Sequence, residues 1–326
     1  GKDDICVRSA SGVQCYPSTG TGFGGAIDGP TLSDASGWGG IDHYGTLRTG
    51  DVNGDGKLDL CARAAAGMKC WLSTVAVFPP AIDGPAWSDA CGWSEPRYWS
   101  TIQLVDITGD GKADLCGRAS AGLVCHASTG NGFGPEIAGP GLSDAQGWAD
   151  QSNYLTMRMA DIDADGKADV CLRANAGIVC YKSTGSGFGA AVDGPDLSDT
   201  SGWWQEKFFR TIRLADIDGD KKADLCARSS ERVQCWKSTG SGFSTAVDGP
   251  QWADSVGWGG RPYYSTIRVA GPRPIVEPEP DAGPEAGIDA GAGGSGGGAA
   301  DASVPQDASA LQDASESPDA SGGSDV

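Results

Sequence analysis

The sequence predicts an all-β fold: a β-propeller of five four-stranded blades, closed by pairing of its N- and C-terminal strands. Three observations support this prediction. A unit of 55 residues recurs along the chain, each unit reads as four short strands joined by turns, and the first and last units are complementary fragments of one unit. Short strands that cannot bury their own apolar face, repeated at such a period, are typical of propeller blades.

The repeat is clearest in an acidic run that precedes a strand with a cysteine. It reads DVNGDGKLDLCAR at 51–63 and returns as DITGDGKADLCGR, DIDADGKADVCLR and DIDGDKKADLCAR at 106–118, 161–173 and 216–228. A clipped copy, GKDDICVR, stands at 1–8. Five units therefore account for a predicted propeller domain over residues 1–271.

Each unit contains signals for four strands. In RTIRLA (210–215) aliphatic and polar side chains alternate with period two, which predicts the first strand. After the acidic run, DLCARSSERVQCWKST (224–239) reads as a hairpin that supplies the second and third strands. Turns rich in glycine and proline, and a short fourth strand, complete the unit. No amphipathic helix longer than a turn or two is predicted.

The two ends of the array predict how the ring closes. The chain starts inside the acidic run, and STIRVA (265–270) repeats the first strand of a unit without the residues that follow it. One blade would therefore take its first strand from the C-terminal end of the array and its other strands from the N terminus. Five blades is the prediction, and a piece of a seven-bladed ring is the alternative.

The cysteines predict five disulfides and an oxidising compartment. Ten of the eleven cysteines form pairs with the spacing C-x8-C, whereas a zinc site would need C-x2-C pairs or histidines, and the chain has only His43 and His126. Opposed cysteines on hairpin strands favour disulfides in an extracytoplasmic protein. Cys91 is left over and is predicted to be a free cysteine, with an intermolecular bridge as the alternative. The predicted pairs are Cys6–Cys15, Cys61–Cys70, Cys116–Cys125, Cys171–Cys180 and Cys226–Cys235.

Composition changes after residue 271. Residues 272–326 are dominated by Pro, Ala, Asp, Gly and Ser, which predicts a disordered acidic linker or stalk. This segment has eleven acidic residues and one arginine, so it carries −10 of the net charge of −19. Such charge argues against nucleic-acid and anionic-membrane partners. No apolar run approaches the roughly 20 residues that cross a bilayer, and no signal peptide is recognisable, so we interpret the sequence as a mature chain or a fragment.

The acidic run has the ligand spacing of a calcium loop. Ca²⁺ accepts six to eight oxygen ligands at irregular angles, whereas Mg²⁺ demands stricter octahedral geometry. Gly56 permits a sharp turn, and similarity to an EF-hand ends at position 12, where Ala62 replaces the glutamate. The predicted ligands are the side chains of Asp51, Asn53, Asp55 and Asp59 and the carbonyl of Lys57.

The motif DxDxDGxxD between two strands, followed by GFG and DGP, resembles the FG-GAP (VCBS-type) repeat of integrin α-subunit propellers and of many secreted bacterial proteins. The resemblance covers about residues 1–271 and implies about four structural Ca²⁺ ions, each between the first and second strands of a blade. Thr108 and Lys221 depart from the motif, so these two sites are expected to be weaker. The alternative is that the acids only solvate turns. The resemblance carries over to Asp106, Thr108, Asp110 and Asp114; to Asp161, Asp163, Asp165 and Asp169; and to Asp216, Asp218, Asp220 and Asp224.

Two more residue types recur at the repeat spacing. The tryptophans of the five GW sequences are predicted to pack between blades rather than to stack on a ligand. The arginines that follow the first cysteine of each pair by two residues are predicted to pair with the aspartate two residues before that cysteine. The two sets are Trp38, Trp93, Trp148, Trp203 and Trp258, and Arg8, Arg63, Arg118, Arg173 and Arg228.

The sequence predicts a binding module and no enzyme. Neither histidine lies in a catalytic motif and no phosphate-binding motif is present, although carboxylate pairs for glycoside hydrolysis stay open. The variable segment before each first strand keeps one aromatic residue, and variable loops on a rigid scaffold often carry recognition. These rings either stack on a bound sugar or are buried where the first strands begin. They are Tyr44, Trp99, Tyr154, Phe209 and Tyr264.

We therefore predict a monomeric, secreted or cell-surface, calcium-stabilised module without membrane insertion. Its predicted ligand is a glycan, held at several weak sites whose linkage raises the overall affinity. The alternative is an integrin-like scaffold that binds an extracellular protein, or an accessory domain of a larger secreted enzyme.

Overall fold

The computed structural model describes residues 4–74 and 78–269. In this part the chain forms five antiparallel sheets, one for each repeat, of which four have four strands and the first has three. This confirms the predicted all-β fold of five blades. The tail predicted over 272–326 lies outside the described residues.

The strands of each blade follow one another in sequence and in space. Blade 1 contains β1 (Ile5–Ser9), β2 (Gly12–Tyr16) and β3 (Ile27–Asp28). Blade 2 contains β4 (Arg48–Gly50), β5 (Asp59–Ala64), β6 (Gly67–Trp71) and β7 (Ile82–Asp83). Blade 3 contains β8 (Gln103–Val105), β9 (Asp114–Ala119), β10 (Gly122–Ser128) and β11 (Phe133–Ala138). Blade 4 contains β12 (Arg158–Ala160), β13 (Asp169–Ala174), β14 (Gly177–Ser183) and β15 (Phe188–Asp193). Blade 5 contains β16 (Arg213–Ala215), β17 (Asp224–Arg228), β18 (Val233–Trp236) and β19 (Val247–Asp248).

Helices are limited to single turns between blades, as the sequence predicts. No helix in the described part of the chain is long and apolar enough to cross a membrane. The α-helices are α1 (Ile41–Tyr44), α2 (Pro96–Trp99), α3 (Gln151–Tyr154), α4 (Glu206–Phe209) and α5 (Arg261–Tyr264). Short 3-10 helices cover Asp34–Ser36, Asp89–Cys91, Asp144–Gln146 and Asp254–Val256.

The central hairpin of each blade is crossed by a disulfide. Cys61 lies directly opposite Cys70 in the register of β5 and β6, and the other four pairs occupy the same position. All five predicted disulfides are present, with Cα atoms 4.0–4.1 Å apart. Cys91 is free and exposed.

Neighbouring blades pack through apolar faces. Between blades 3 and 4, Leu123 and Trp148 lie against Met157 and Leu172 in one buried cluster. Similar apolar clusters, formed by equivalent positions of the repeat, join blades 1 and 2, blades 2 and 3, and blades 4 and 5. Four of the five repeated tryptophans are buried in these clusters, as predicted, whereas Trp258 on the last blade is only half-buried.

The outer faces of the first and last blades have no such partner in the described residues. Ile5 and Val7 of β1 are 51% and 52% exposed, although their counterparts in the other blades are buried. Residues 265–269 form no strand there. The closing strand predicted over 265–270 thus lies partly outside the described residues, and closure of the ring stays a prediction.

The repeated arginines do not pair as the sequence suggested. The side chain of Arg118 is fully buried and pairs with Asp144 rather than with Asp114. Four residues along a strand span about 13 Å, which is beyond the reach of an ion pair. The 3-10 helix after the fourth strand brings Asp144 to the arginine, and Arg8, Arg63, Arg173 and Arg228 likewise pair with the aspartate 26 residues later.

Candidate functional site

Each acidic run forms a loop between the first and second strands of its blade. In blade 2 the carboxylate of Asp51 accepts hydrogen bonds from the backbone N–H groups inside the loop, at 2.7 Å from Gly54 and 2.8 Å from Gly56. Gly56 has a φ of 83°, a left-handed conformation that glycine adopts without strain. The loop therefore turns sharply around the first aspartate, as the sequence predicts.

The last aspartate of each loop is buried and ties two elements together. Asp59 accepts from the N–H of Val52 at 2.9 Å and from the N–H of Ser73, after the third strand, at 2.6 Å. Burial, opposed by these hydrogen bonds and reinforced by nearby carboxylates, raises the pKa of the equivalent Asp114 and Asp169 to about 6. A cation beside them would favour the ionised form.

Carboxylates cluster most tightly in blades 4 and 5. Oxygens of Asp161, Asp163 and Asp169 lie within 4.8 Å of one another, and those of Asp216, Asp218 and Asp224 do the same. Oδ1 of Asp163 is buried and has no hydrogen-bond partner in the described residues. An unpartnered, buried carboxylate oxygen among acids is suited to a hard cation, and oxygen ligands of this kind are those that Ca²⁺ prefers. These residues therefore fit the ion that the sequence implies.

The loops differ at their third position. In blades 4 and 5 this residue is an aspartate, and a lysine from the third strand approaches it: Nζ of Lys182 lies 3.1 Å from Oδ2 of Asp163, and Lys237 repeats this at Asp218. In blades 2 and 3 the third position is Asn53 or Thr108, and the lysine position is Leu72 or Ala127. A lysine therefore lies near the loop in the two blades whose third loop position is an aspartate.

The two departures from the motif keep the loop shape. Thr108 donates its hydroxyl to Asp106, and Lys221 adopts the left-handed conformation of the turn glycine with a φ of 70°. In the clipped first loop, Asp4 still accepts from the N–H of Ser18 at 2.8 Å, which matches the contact of Asp59. The position of the last aspartate is therefore constant in all five blades.

A second cluster of acidic side chains is already paired with an arginine of the chain. Asp42, His43 and Asp89 lie close together near the first two blades. The buried guanidinium of Arg63 lies between the two carboxylates, 2.7 Å from Asp42 and 2.5 Å from Asp89. This group is therefore an ion-pair network of the scaffold.

The five predicted ligand-binding aromatics fall into three environments. Tyr44 is 41% exposed, with the guanidinium carbon of Arg8 5.7 Å from its ring centre. Trp99 and Tyr154 are half-buried. Phe209 and Tyr264 are buried, so they pack at strand starts and present no face to a ligand.

In the part of the chain that the structure describes, three exposed rings lie outside the predicted set, Phe23, Trp204 and Tyr263, and Trp204 is the most exposed of them. Trp204 is 59% exposed at the start of the variable segment of blade 5. The sequence signals this ring by a second tryptophan directly after the repeated Trp203. The other repeats have Gly39, Ser94, Ala149 and Gly259 at this position. Trp204 thus places a large aromatic ring in solvent beside the polar residues of the variable segment.

A family model described as an FG-GAP-like repeat matches residues 161–227. No curated protein matches the sequence. Among solved structures, the chain is similar to a lectin from Agrocybe aegerita, described as recognising non-reducing terminal N-acetylglucosamine, with 23% identity and a TM-score of 0.68. This match covers 76% of the chain and 62% of the lectin, so the chain spans less than two thirds of that protein.

Two weaker matches cover small parts of larger proteins. The Photorhabdus luminescens Tc holotoxin pore matches at 18% identity and a TM-score of 0.48, over 76% of this chain and 11% of that one. The biofilm matrix protein Bap1 of V. cholerae matches at 14% identity and a TM-score of 0.33, over 77% and 36% of the two chains. Residues 161–227 therefore match an FG-GAP-like repeat, and the five sheets, one for each 55-residue unit, give the chain the fold of a β-propeller.

Proposed function

We propose that the chain is an extracellular carbohydrate-binding module whose ligand contacts the loops between blades. The observation that carries this proposal is the pair of exposed rings, Tyr44 and Trp204, on a scaffold similar to that of an N-acetylglucosamine-recognising lectin. Five disulfides are consistent with an extracytoplasmic location. Binding without catalysis is part of the proposal.

Tyr44 has the surroundings that sugar recognition requires. An aromatic ring offers an apolar face to the C–H groups of a sugar, while nearby polar groups hydrogen-bond its hydroxyls. Here the ring lies beside Arg8 and on the same one-turn helix as Asp42. Trp204 lies in the variable segment before blade 5, five residues ahead of Phe209, the equivalent of Tyr44, and it precedes the polar residues Gln205 and Glu206. We propose it as a second site of similar chemistry at a different position of the repeat.

Glycan-array binding with the full chain tests this proposal. We expect binding that free N-acetylglucosamine or another monosaccharide inhibits, and a loss of about tenfold or more in Tyr44→Ala and Trp204→Ala, because central aromatic contacts carry much of a binding energy. Phe23→Ala, which removes an exposed ring from an outer turn, is the control. No glycan binding, together with capture of one extracellular protein, would favour the protein-interaction alternative instead.

We further propose that the four acidic loops hold structural calcium ions. The unpartnered oxygen of Asp163 and the converging carboxylates support this proposal. A bound ion would neutralise acids that repel one another and so stabilise the hairpin that each loop joins. We expect calorimetric titration of chelator-stripped protein to show about four sites, and chelation to lower the melting temperature. An unchanged melt after stringent metal removal would contradict the proposal.

A further inference from the structure

Arginines without carboxylate partners recur at the start of the first strands of the blades and at the equivalent position after the last blade. The position recurs every 55 residues from 48 to 268, and only blade 3 replaces the arginine, by Gln103. In the described residues no carboxylate oxygen lies within the 4.0 Å of an ion pair from any of these guanidinium groups. The set is Arg48, Arg158, Arg213 and Arg268, which we call the axial arginines.

Backbone carbonyls bind only one edge of each axial guanidinium. In Arg158, Nε donates to the carbonyl of Ile212 in the next blade at 3.1 Å, and Nη1 donates to Leu155 and Met157 at 3.0 and 2.7 Å. Arg48 and Arg213 repeat this pattern. Nη2, with two N–H donors, has no hydrogen-bond partner among the described residues and stays available.

Three of these arginines converge around the inner strands. Strand β12 contacts β8 on one side and β16 on the other. Burial, together with the smaller effect of the positive charges of Arg213, Arg210 and Arg268, lowers the pKa of Arg158 to about 10. The guanidinium of Arg158 reaches the carbonyl of Ile212, next to Arg213, and the guanidinium of Arg213 reaches the carbonyl of Ile267, next to Arg268. Consecutive arginines therefore follow one another from blade to blade.

Unpaired cations gathered in this way are unfavourable, and an anion would relieve them. A half-buried charge without a counterion loses hydration and gains no ion pair in return. Guanidinium groups bind planar carboxylates and tetrahedral phosphates or sulfates through parallel N–H donors. The chain as a whole has a net charge of −19, so a positive site at its axis is a local feature that general charge balance does not explain.

We propose that the axial arginines Arg158, Arg213 and Arg268 bind an oxyanion, a group with carboxylate, phosphate or sulfate chemistry, through their free Nη2 atoms. This proposal uses none of the residues of the proposed sugar sites at Tyr44 and Trp204, and it does not depend on a neutral sugar binding there. The bound oxyanion is either a small inorganic anion or the acidic group of a sugar. The two differ in size and shape, so different probes can distinguish them.

Calorimetry and thermal melting of the full chain test the proposal, with sodium sulfate and sodium glucuronate as probes at constant ionic strength set by chloride. We expect at least one probe to bind and to raise the melting temperature. Sulfate binding alone identifies an inorganic anion, and glucuronate binding identifies an acidic sugar. Absence of any shift or heat with both probes overturns the proposal.

Glutamine variants locate the site. Since Gln103 occupies the same position in blade 3, glutamine is compatible with the fold there. We expect Arg213→Gln and Arg268→Gln each to weaken binding of the probe at least tenfold. Arg232→Gln removes the same charge from an exposed pair with Asp248 on the outer hairpin and should bind like the unmodified chain. Unchanged affinity in Arg213→Gln, or in the more exposed Arg268→Gln if the first variant is unstable, overturns the proposal.

Discussion

Two buried charged residues tie each blade to its loops. The aspartate that ends the acidic loop accepts from two backbone N–H groups, and the arginine of the second strand reaches an aspartate on the following 3-10 helix. In blade 3 these residues are Asp114 and Arg118, both fully buried. Buried charges are tolerated only when hydrogen bonds satisfy them. Each repeat therefore encodes buried, hydrogen-bonded charged residues as well as an apolar core.

The lysines near the third loop position should weaken calcium binding in blades 4 and 5. An ion must compete with Lys182 for Asp163 and with Lys237 for Asp218. We expect the double variant Lys182→Met, Lys237→Met to tighten two of the calcium sites about fivefold, as loss of an exposed charge interaction of ~1 kcal/mol implies. Calorimetric titration measures this change. Lys69→Met, which removes an exposed pair with Asp83, is the control, and equal affinities in all three proteins would contradict the expectation.

The pair of Arg118 and Asp144 predicts a dependence of stability on pH. Burial disfavours the ionised carboxylate of Asp144, but hydrogen bonds from Tyr98 and Arg118 outweigh it, so its pKa lies below the usual 3.8. A lowered pKa in the folded state contributes stability that is present above pH 3.8 and is lost as the pH falls through the folded value.

Asp144→Asn isolates this contribution. We expect the variant to be less stable by about 2 kcal/mol at pH 7, the size of a hydrogen bond to a charged group, and the difference to shrink below pH 4 in urea unfolding curves. Asp83→Asn, at an exposed pair with Lys69, should differ little from the unmodified chain at any pH. A difference for Asp144→Asn that stays constant down to pH 2 would argue against the charge as its cause.

At the scale of elements, the hairpins depend on their disulfides. Strands of two to seven residues bury little surface alone. Closing a loop of about ten residues stabilises the folded chain by roughly 2.5–3 kcal/mol in the chain-entropy model. We expect Cys116→Ala, Cys125→Ala to lose about this much in urea unfolding. Cys91→Ala, at the exposed free cysteine, should be neutral, and an equal loss in both proteins would exclude the cross-link as the cause.

Sequence spacing predicted the local elements well, because their determinants are local. The C-x8-C spacing predicted the register of every hairpin, and the acidic run predicted a turn around Asp51. The partner of Arg118 was beyond prediction, since Asp144 reaches it only after two strands and a 3-10 helix have folded. Tyr44 is exposed although the equivalent Phe209 is buried in the cluster between blades 4 and 5, a difference that the shared sequence position does not predict.

At the scale of the whole molecule, the end blades carry faces that match each other. Each interior interface joins the hairpin face of one blade to β-strand residues equivalent to Ile5 and Val7 in the next. The last blade offers the same hairpin face, where Val233 and Trp252 are only half-buried. Exposed apolar faces and unpaired strand edges invite association. Closure of the ring, with residues 265–270 beside β1, would cover both faces.

Ring closure would bury Val7 in an interface between blades, whereas its side chain is 52% exposed in the described residues. We expect Val7→Asp to destabilise the chain by about 1–3 kcal/mol, because it would bury a charge in the closing interface. Val256→Asp, at a position that is 68% exposed, should cost little. Urea unfolding compares the two, and hydrogen exchange should show protected N–H groups along the free edge of β1. Equal stabilities with rapid exchange along β1 would mean that the end faces do not meet within one chain.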